Sequence, residues 1–237
     1  MRNIHTTRLY DPWPDGVEPS VPIEGYTNTW LFTPSQPAIR KPVTRTETTG
    51  PAELWRKLIC GDGNLAVTST GKWAQGLYMR VFGQILDEDS RPIPNAVVEL
   101  WQANAAGRYA HTLDNRRAPL DPNFLGNGRV RSDENGWYEF HTIKPGAYPV
   151  PVKDAWWRPA HIHFSVLGPG TLSRLVTQMY FPGDPMNDWD RILNSVGDAA
   201  ARNRLIATQQ HPRDAGTEAL GYRFDIVLRG RNATPEA

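Results

Sequence analysis

The chain has 237 residues, enough for one large β domain or two small ones with an ample core. Its 26 Lys and Arg against 25 Asp and Glu leave a net charge of +1, which argues against a nucleic acid or membrane partner. The 21 Pro and 20 Gly are high for a helical protein, and no stretch reaches the ~18 consecutive apolar residues of a membrane span, so we expect a soluble, loop-rich chain.

The N-terminal end and the cysteine content indicate a cytoplasmic protein. The first residues lead into polar sequence rather than the apolar core of a signal peptide, and the single cysteine, Cys60, cannot form an internal disulfide. Residues 1–50 are typical of an extended arm that reaches a partner subunit. We expect residues 51–237 to form one domain.

Six runs of β-forming residues follow along the chain, separated by turn sequences such as Asn135-Gly136. They are Leu77–Leu86, Ala96–Trp101, Trp137–Thr142, Ile162–Leu167, Leu175–Tyr180 and Tyr222–Leu228. Helical patterns are fewer: Ala52–Leu58, and Asp190–Gln210 with an interruption near Gly197. This order predicts a mainly β protein, a two-sheet β-sandwich with a few short helices and long loops at its edges.

A pair of histidines and an arginine stand close together at the start of the fourth predicted strand. Because successive side chains on a strand point to opposite faces, His161 and His163 would lie on one face about 6–7 Å apart, near enough to bind one metal ion. Arg158 precedes His161 by three residues. Taken alone, the pattern is also compatible with two histidines that are only hydrogen-bonded or solvated.

Two tyrosines lie in irregular backbone, where a side chain can be directed at a site instead of into a sheet. Tyr109 lies two residues after Gly107. Tyr148 lies two residues after Gly146 and directly before Pro149. A single loop tyrosine usually serves packing or a surface hydrogen bond, so these residues leave both interpretations open.

The stretch from about Pro94 to Pro185 closely resembles the intradiol ring-cleaving dioxygenases, and among them the β subunits of protocatechuate 3,4-dioxygenases. The matching segments are Val98–Tyr109, Ala118–Phe124, Thr142–Pro149, Trp157–Phe164 and Thr177–Phe181, with Tyr222–Gly230 and Glu47–Pro51 outside that stretch. A combination of segments spread over most of the chain is far more specific than an isolated His-x-His.

The resemblance implies a non-haem Fe(III) ion held by Tyr109, Tyr148, His161 and His163. It implies that the protein uses O2 to cleave the ring of a catechol to a muconate-type dicarboxylate, in the catabolism of aromatic compounds. Two phenolates and one hydroxide would balance the three charges of ferric iron, and a bound cation can hold a tyrosine as phenolate at neutral pH.

The same resemblance implies roles for three residues in catalysis. Arg158 would stabilise negative charge that develops on the ring, and Tyr148 would take a proton from the catechol. Gln178 would orient Arg158 or the substrate.

The substrate pocket should include Tyr26, Val150 and Ile192. Val150 departs from the family pattern, which has tryptophan there, and the smaller side chain would open space. Besides protocatechuate, a related 4-substituted catechol such as 4-sulfocatechol is therefore a candidate. If Trp156 refills the space, the substrate would be unchanged.

Family members pair this iron-bearing subunit with a related α subunit that lacks the ligands, and some relatives are homomeric, so both assemblies stay open. Two other classes of protein remain as alternatives. A β-sandwich binding module with incidental histidines would hold no stoichiometric iron, and a zinc or cupin-like hydrolase would need a carboxylate or third histidine beside the pair.

Overall fold

The computed structural model describes residues 17, 23, 36, 58–61, 63–150, 156–168, 174–210 and 220–236. The predicted arm apart from residues 17, 23 and 36, Tyr26, and nearly all of the predicted helix at Ala52–Leu58 lie outside the described residues. In the part of the chain that is described, no helix is long and apolar enough to cross a membrane.

Eleven strands make up the described β structure. They are β1 Tyr78–Leu86, β2 Val97–Trp101, β3 Asn127–Arg131, β4 Trp137–Ile143, β5 Tyr148–Pro149, β6 Trp157–Arg158, β7 His161–Leu167, β8 Leu175–Tyr180, β9 Thr208–Gln209, β10 Leu220–Arg223 and β11 Ile226–Val227. Two short 3₁₀ helices, Pro185–Trp189 and Leu193–Ser195, and one α-helix, α1 Ala199–Asn203, lie between β8 and β9.

The strands form two larger sheets and one small pair. In the first sheet β1 pairs antiparallel with β4 on one edge and parallel with β10 and β11 on the other, and β9 joins β10. The second sheet is antiparallel in the order β3-β2-β7-β8, and β5 pairs with β6 alone. The predicted mainly β sandwich is confirmed.

The main core lies between the two larger sheets. Met79 and Val81 of β1 and Leu100, Ile162 and Phe164 of the second sheet are at most 1% exposed and belong to one apolar cluster. Each such side chain contributes roughly 1.5–3 kcal/mol through burial. Since Ile162 and Phe164 alternate with the two histidines of β7, this core forces the histidines to the other face of the second sheet.

Two predicted elements differ from the structure. The run Tyr222–Leu228 is split into β10 and β11, because the Asp225 carboxylate accepts the Gln84 amide at 2.9 Å in place of a strand-to-strand bond. The predicted helical stretch Asp190–Gln210 is interrupted near Gly197 as expected, but its helices are short: only the 3₁₀ helix Leu193–Ser195 and α1 form within it. Asp198 has extended backbone and accepts the Ala201 amide as the N-cap of α1, so no helix passes through it.

The sequence patterns did not predict β3, β5, β6 or β9. β3 is an edge strand with one buried residue, Val130, and therefore lacks the alternation of a half-buried strand. β5, β6 and β9 have two residues each, too short for any periodic signal.

Candidate active site

His161 and His163 lie on the outer face of β7, with ring centroids 4.9 Å apart. Opposite His163 on β2 is Trp101, whose indole stacks on the imidazole at 4.9 Å with an angle of 4° between the planes. The strand pairing thus places an aromatic wall beside the second histidine.

The tautomer of His161 follows from its hydrogen bonds. Nδ1 is 2.7 Å from the Pro159 carbonyl oxygen, which can only accept, so Nδ1 carries the proton. Nε2 therefore presents its lone pair and accepts the Tyr148 hydroxyl at 3.2 Å. A metal-binding histidine is commonly held in this way, with its other ring nitrogen donating to a carbonyl.

Tyr148 reaches His161 because β5 pairs with β6. Tyr148 is directly opposite Arg158 in that pair, and β6 is separated from β7 by two residues. The rings of Tyr148 and His161 are consequently 5.5 Å apart.

Tyr109 is positioned by a tight loop after β2. The Asn104 side chain accepts the amides of Ala106 and Arg108 at 3.0 Å each, and the Asn104 carbonyl accepts the Gly146 amide at 2.9 Å. Gly107 has a φ of +76°, and a Cβ there would lie 2.3 Å from the Ala147 carbonyl oxygen. The two tyrosine-bearing loops are thus packed backbone to backbone.

The Tyr109 ring lies 5.6 Å from Tyr148 and 6.3 Å from His163, measured between centroids. Its hydroxyl is buried and forms no regular hydrogen bond with the described residues. Such a group is rare in a folded protein and is expected to have a ligand.

Electrostatics keep Tyr109 and the two histidines uncharged in the metal-free protein. Burial and then the charge of Arg158 lower the pKa of His163 to about 3, and the same two causes lower the pKa of His161 well below 6.5. Burial and the neighbouring Tyr148 raise the pKa of Tyr109 well above 10. Neutral imidazoles are ready to bind a cation, whereas the phenol needs one to lose its proton.

Arg158 is 2% exposed, and its guanidinium is fixed from two sides. Nε donates to the fully buried carboxylate of Asp190 at 3.0 Å, and Nη2 donates to the Gln178 side-chain oxygen and to the Tyr180 hydroxyl at 2.9 Å. Burial by itself would lower the pKa of Arg158, but Tyr180 and Asp190 raise it, so the guanidinium stays charged.

A cavity of about 410 Å³ opens beside these groups. It is lined by Trp101, Tyr109, His111, Leu113, Asp114, Asn115, Arg116, Tyr148, Pro149, Val150 and Arg158. Val150 belongs to a cluster with Trp156 and Ile192, and its amide donates to the Trp156 carbonyl at 2.9 Å. Within the described residues, Trp156 and Ile192 pack behind Val150 and do not line the cavity.

A larger cavity of about 540 Å³ lies on the same sheet, on the other side of Trp101. Its described lining includes Glu99, Asn127 and Arg129 but neither a histidine nor a tyrosine. The smaller cavity is therefore the better candidate for the site.

The donor set fits a hard trivalent cation such as ferric iron. The described residues contain no group of three or more His, Cys, Asp or Glu side chains able to hold a metal ion, and the oxygen-bearing side chains in ring contact with the two histidines include the phenols of Tyr109 and Tyr148. The Tyr109 hydroxyl, which has no regular hydrogen bond, and the Nε2 lone pair of His161 are donors that could hold such an ion. A zinc site would instead want histidine, cysteine or carboxylate ligands.

The residues around the predicted set were not all visible from the sequence. Tyr180 lies on the same face of β8 as Gln178, so strand alternation could have found it. Asp190 pairs with Arg158 across 32 positions, and no local pattern marks it. The same holds for Asp114 and Arg116 beside the tyrosines.

Comparison with known proteins identifies relatives. The profile of the family described as dioxygenase matches residues 57–230. The protocatechuate 3,4-dioxygenase β chain of Burkholderia cepacia is 57% identical over 155 residues, which cover 65% of this chain and 66% of that one. The 6-chlorohydroxyquinol 1,2-dioxygenase of Cupriavidus pinatubonensis is 35% identical over 166 residues, covering 65% of this chain and 55% of that protein.

Solved structures lead to the same group. Hydroxyquinol 1,2-dioxygenase from Pseudomonas putida DLL-E4 has a TM-score of 0.55 and 25% identity, covering 86% of this chain and 71% of its own. Catechol 1,2-dioxygenase from Acinetobacter sp. ADP1 has a TM-score of 0.52 and 28% identity, covering 70% of this chain and 56% of its own.

The chain spans about two thirds of the length of the Burkholderia relative and about half of the length of the Cupriavidus relative.

Proposed function

The chain belongs to the intradiol dioxygenase family, and from that premise we propose that it cleaves the aromatic ring of a catechol with O2 between the two hydroxyl-bearing carbons. The observation that carries the proposal is the convergence of two phenols and two neutral imidazoles beside a 410 Å³ cavity. A β-sandwich binding module with incidental histidines gives no reason for a buried tyrosine hydroxyl that lacks a hydrogen bond.

Tyr109, Tyr148, His161 and His163 would hold a non-haem Fe(III) ion. When bound, the ion supplies Lewis acidity to the catechol oxygens and activates the ring toward O2. Two phenolates would offset two of its three charges, which a buried site requires.

Tyr148 is the proposed base. Tyr148 lines the cavity and its hydroxyl donates a hydrogen bond to His161 Nε2, so as a phenolate the same oxygen can accept one hydroxyl proton of the incoming catechol. The proton remains on the Tyr148 oxygen, which can again donate to a neighbouring acceptor.

Arg158 is the proposed electrostatic catalyst. Arg158 lines the cavity, and Asp190 and Gln178 hold its guanidinium in one orientation. A preorganised charge of this kind stabilises negative charge on the ring carbon as it develops. Gln178 then acts as a positioning residue for Arg158.

The proposed substrates are protocatechuate or a catechol with another anionic 4-substituent, such as 4-sulfocatechol. Val150 supports the second class, because it lines the cavity with a smaller side chain than the tryptophan of the family pattern, and Trp156 is not among the described lining residues. Ile192 supports Val150 from behind, and Tyr26 is retained as a proposed pocket residue.

The Burkholderia relative is named a β chain, and this name supports the presence of a partner subunit. We propose a related α subunit in a hetero-oligomer, with self-association as the alternative. The proposed domain spans residues 51–237, and residues 1–50 serve as an arm toward the partner.

A visible spectrum with an iron assay tests the proposal. The purified protein should contain about one iron per chain and show a broad tyrosinate-to-iron band. Anaerobic titration with protocatechuate and with 4-sulfocatechol should shift the band, and the compound that does so at lower concentration identifies the substrate class. A preparation that stays colourless after iron is added, both alone and with an α subunit, contradicts the function and favours a binding module.

A further inference from the structure

Arg116 lies against both of the tyrosines that the proposed function assigns to the metal. Its guanidinium carbon is 4.2 Å from the centroid of the Tyr148 ring and 6.0 Å from that of Tyr109. Both distances fall within the range of cation–π contacts, and the shorter one places the cation directly over the ring face.

Asp114 holds Arg116 in this place. Its Oδ1 accepts Arg116 Nε at 2.8 Å, and its Oδ2 accepts Arg116 Nη2 and also the Tyr109 backbone amide, the latter at 2.9 Å. One carboxylate therefore fixes the backbone of one tyrosine and the cation that covers the other.

The remaining guanidinium nitrogen of Arg116, Nη1, is buried and has no hydrogen bond to the described residues. Its side chain is 18% exposed and the Asp114 side chain 8%. The pair lines the cavity and is partly shielded from solvent, so its charges act more strongly than fully exposed ones.

The other arginine of the cavity is held differently. Arg158 donates to Asp190, Gln178 and Tyr180, none of which is a proposed metal ligand. Arg116 instead directs its charge at a ring face. The two arginines consequently have separate tasks.

From this arrangement we propose that Asp114 and Arg116 form a clasp that positions Tyr109 and Tyr148 as one unit and stabilises the negative charge they carry when they hold the metal. The proposal rests on the proposed function, since it concerns the same four ligands. Arg116 is a positioning residue, because it acts through the two tyrosines.

The test compares the full chain with Arg116→Gln, Arg116→Lys and Asp114→Asn, each loaded with ferric iron. Arg117→Gln is the matched control, an adjacent arginine with an exposed side chain. The readouts are iron retained after dialysis against a chelator and the wavelength of the tyrosinate-to-iron band, neither of which depends on turnover.

We expect Arg116→Gln to lose iron affinity roughly 10- to 100-fold, as is typical when a group that supports a metal ligand is removed. The band should move to longer wavelength. The transition moves electron density away from the phenolate, and a cation over the ring opposes that movement, so its loss lowers the transition energy. Arg116→Lys keeps the positive charge. Its band position should therefore stay closer to that of the wild type than its iron retention does.

Asp114→Asn should resemble Arg116→Gln, and the double variant should lose little more than the worse single one, because the two residues act as a unit. If Arg116→Gln does not fold, the iron retention and band wavelength of Arg116→Lys and Asp114→Asn test the proposal instead. Variants that match Arg117→Gln in band and iron retention overturn the clasp while the function stands. A wild-type protein without iron or band overturns the function itself.

Discussion

Tyr148 combines three contacts that single it out among the described tyrosines. Its oxygen bonds His161, its ring faces Tyr109, and its side chain lines the cavity. We predict that Tyr148→Phe reduces iron retention at least roughly tenfold and weakens the tyrosinate band, because a donor oxygen is removed. Tyr222→Phe, which changes a buried tyrosine remote from the cavity, should leave both unchanged. Full iron content in Tyr148→Phe would show that this residue is not a ligand.

The ion pair of Arg158 and Asp190 is buried on both sides, with side-chain exposures of 3% and 0%. Asp190→Asn leaves the guanidinium charged and uncompensated, so we predict a loss of about 3–5 kcal/mol in the free energy of unfolding. Urea denaturation of the metal-free protein measures it. Replacing both residues by apolar ones should recover most of the loss, and an unchanged midpoint in Asp190→Asn would disprove the pairing.

The contact between the two tyrosine-bearing loops is a property of elements rather than of single side chains. Gly107 and Gly71 share a φ of +76°, but only at Gly107 would a Cβ meet backbone, 2.3 Å from the Ala147 carbonyl oxygen. Gly71→Ala should cost about 1–2 kcal/mol from backbone strain alone. Gly107→Ala should destabilise more and lower iron retention as well. Equal effects of the two substitutions would show that the loops need not touch.

The hydroxyl of Tyr138 connects β4 to the segment between β10 and β11 by donating to the Phe224 carbonyl. Burial raises the pKa of Tyr138 well above 10. Because the unfolded chain releases this proton above about pH 10 and the folded chain keeps it, stability is fully present below that pH and falls above it by about 1.4 kcal/mol per pH unit.

Tyr138→Phe should therefore reduce the alkaline decline in the free energy of unfolding by about 1.4 kcal/mol per pH unit, which corresponds to one proton. At neutral pH the same substitution should cost about 1–2 kcal/mol, since the Phe224 carbonyl loses its donor. Denaturant unfolding between pH 8 and pH 11 measures both effects. An identical alkaline slope in the variant would contradict the raised pKa.

At the scale of the whole molecule, the proposed ferric site couples metal binding to folding. Its ligands come from the loop after β2, from β5 and from β7, so only the folded chain brings them together. Iron at about 100 times its dissociation constant should raise the free energy of unfolding by about 2.7 kcal/mol. Thermal scans of iron-loaded and chelated protein test this, with Tyr148→Phe as a control that should show a smaller difference.

Much of the fold was available from local patterns. Alternating apolar residues placed β1, β2, β4, β7 and β8 to within one residue at each end, because side-chain alternation is a property of a strand by itself. The patterns failed where a side chain replaced backbone bonding, at Asp225 between β10 and β11, whereas the predicted interruption near Gly197 lies beside the Asp198 N-cap of α1.

For the site, the sequence by itself determined the kinds of donor and the strand that carries the two histidines. Only the tertiary structure decided that Tyr109 and Tyr148 meet, that Asp190 neutralises Arg158, and that Arg116 covers a tyrosine ring. The physical reason is that periodicity and turn chemistry act over a few residues. Contacts between a loop and a distant segment depend instead on the path of the whole chain, which packing of the two sheets sets.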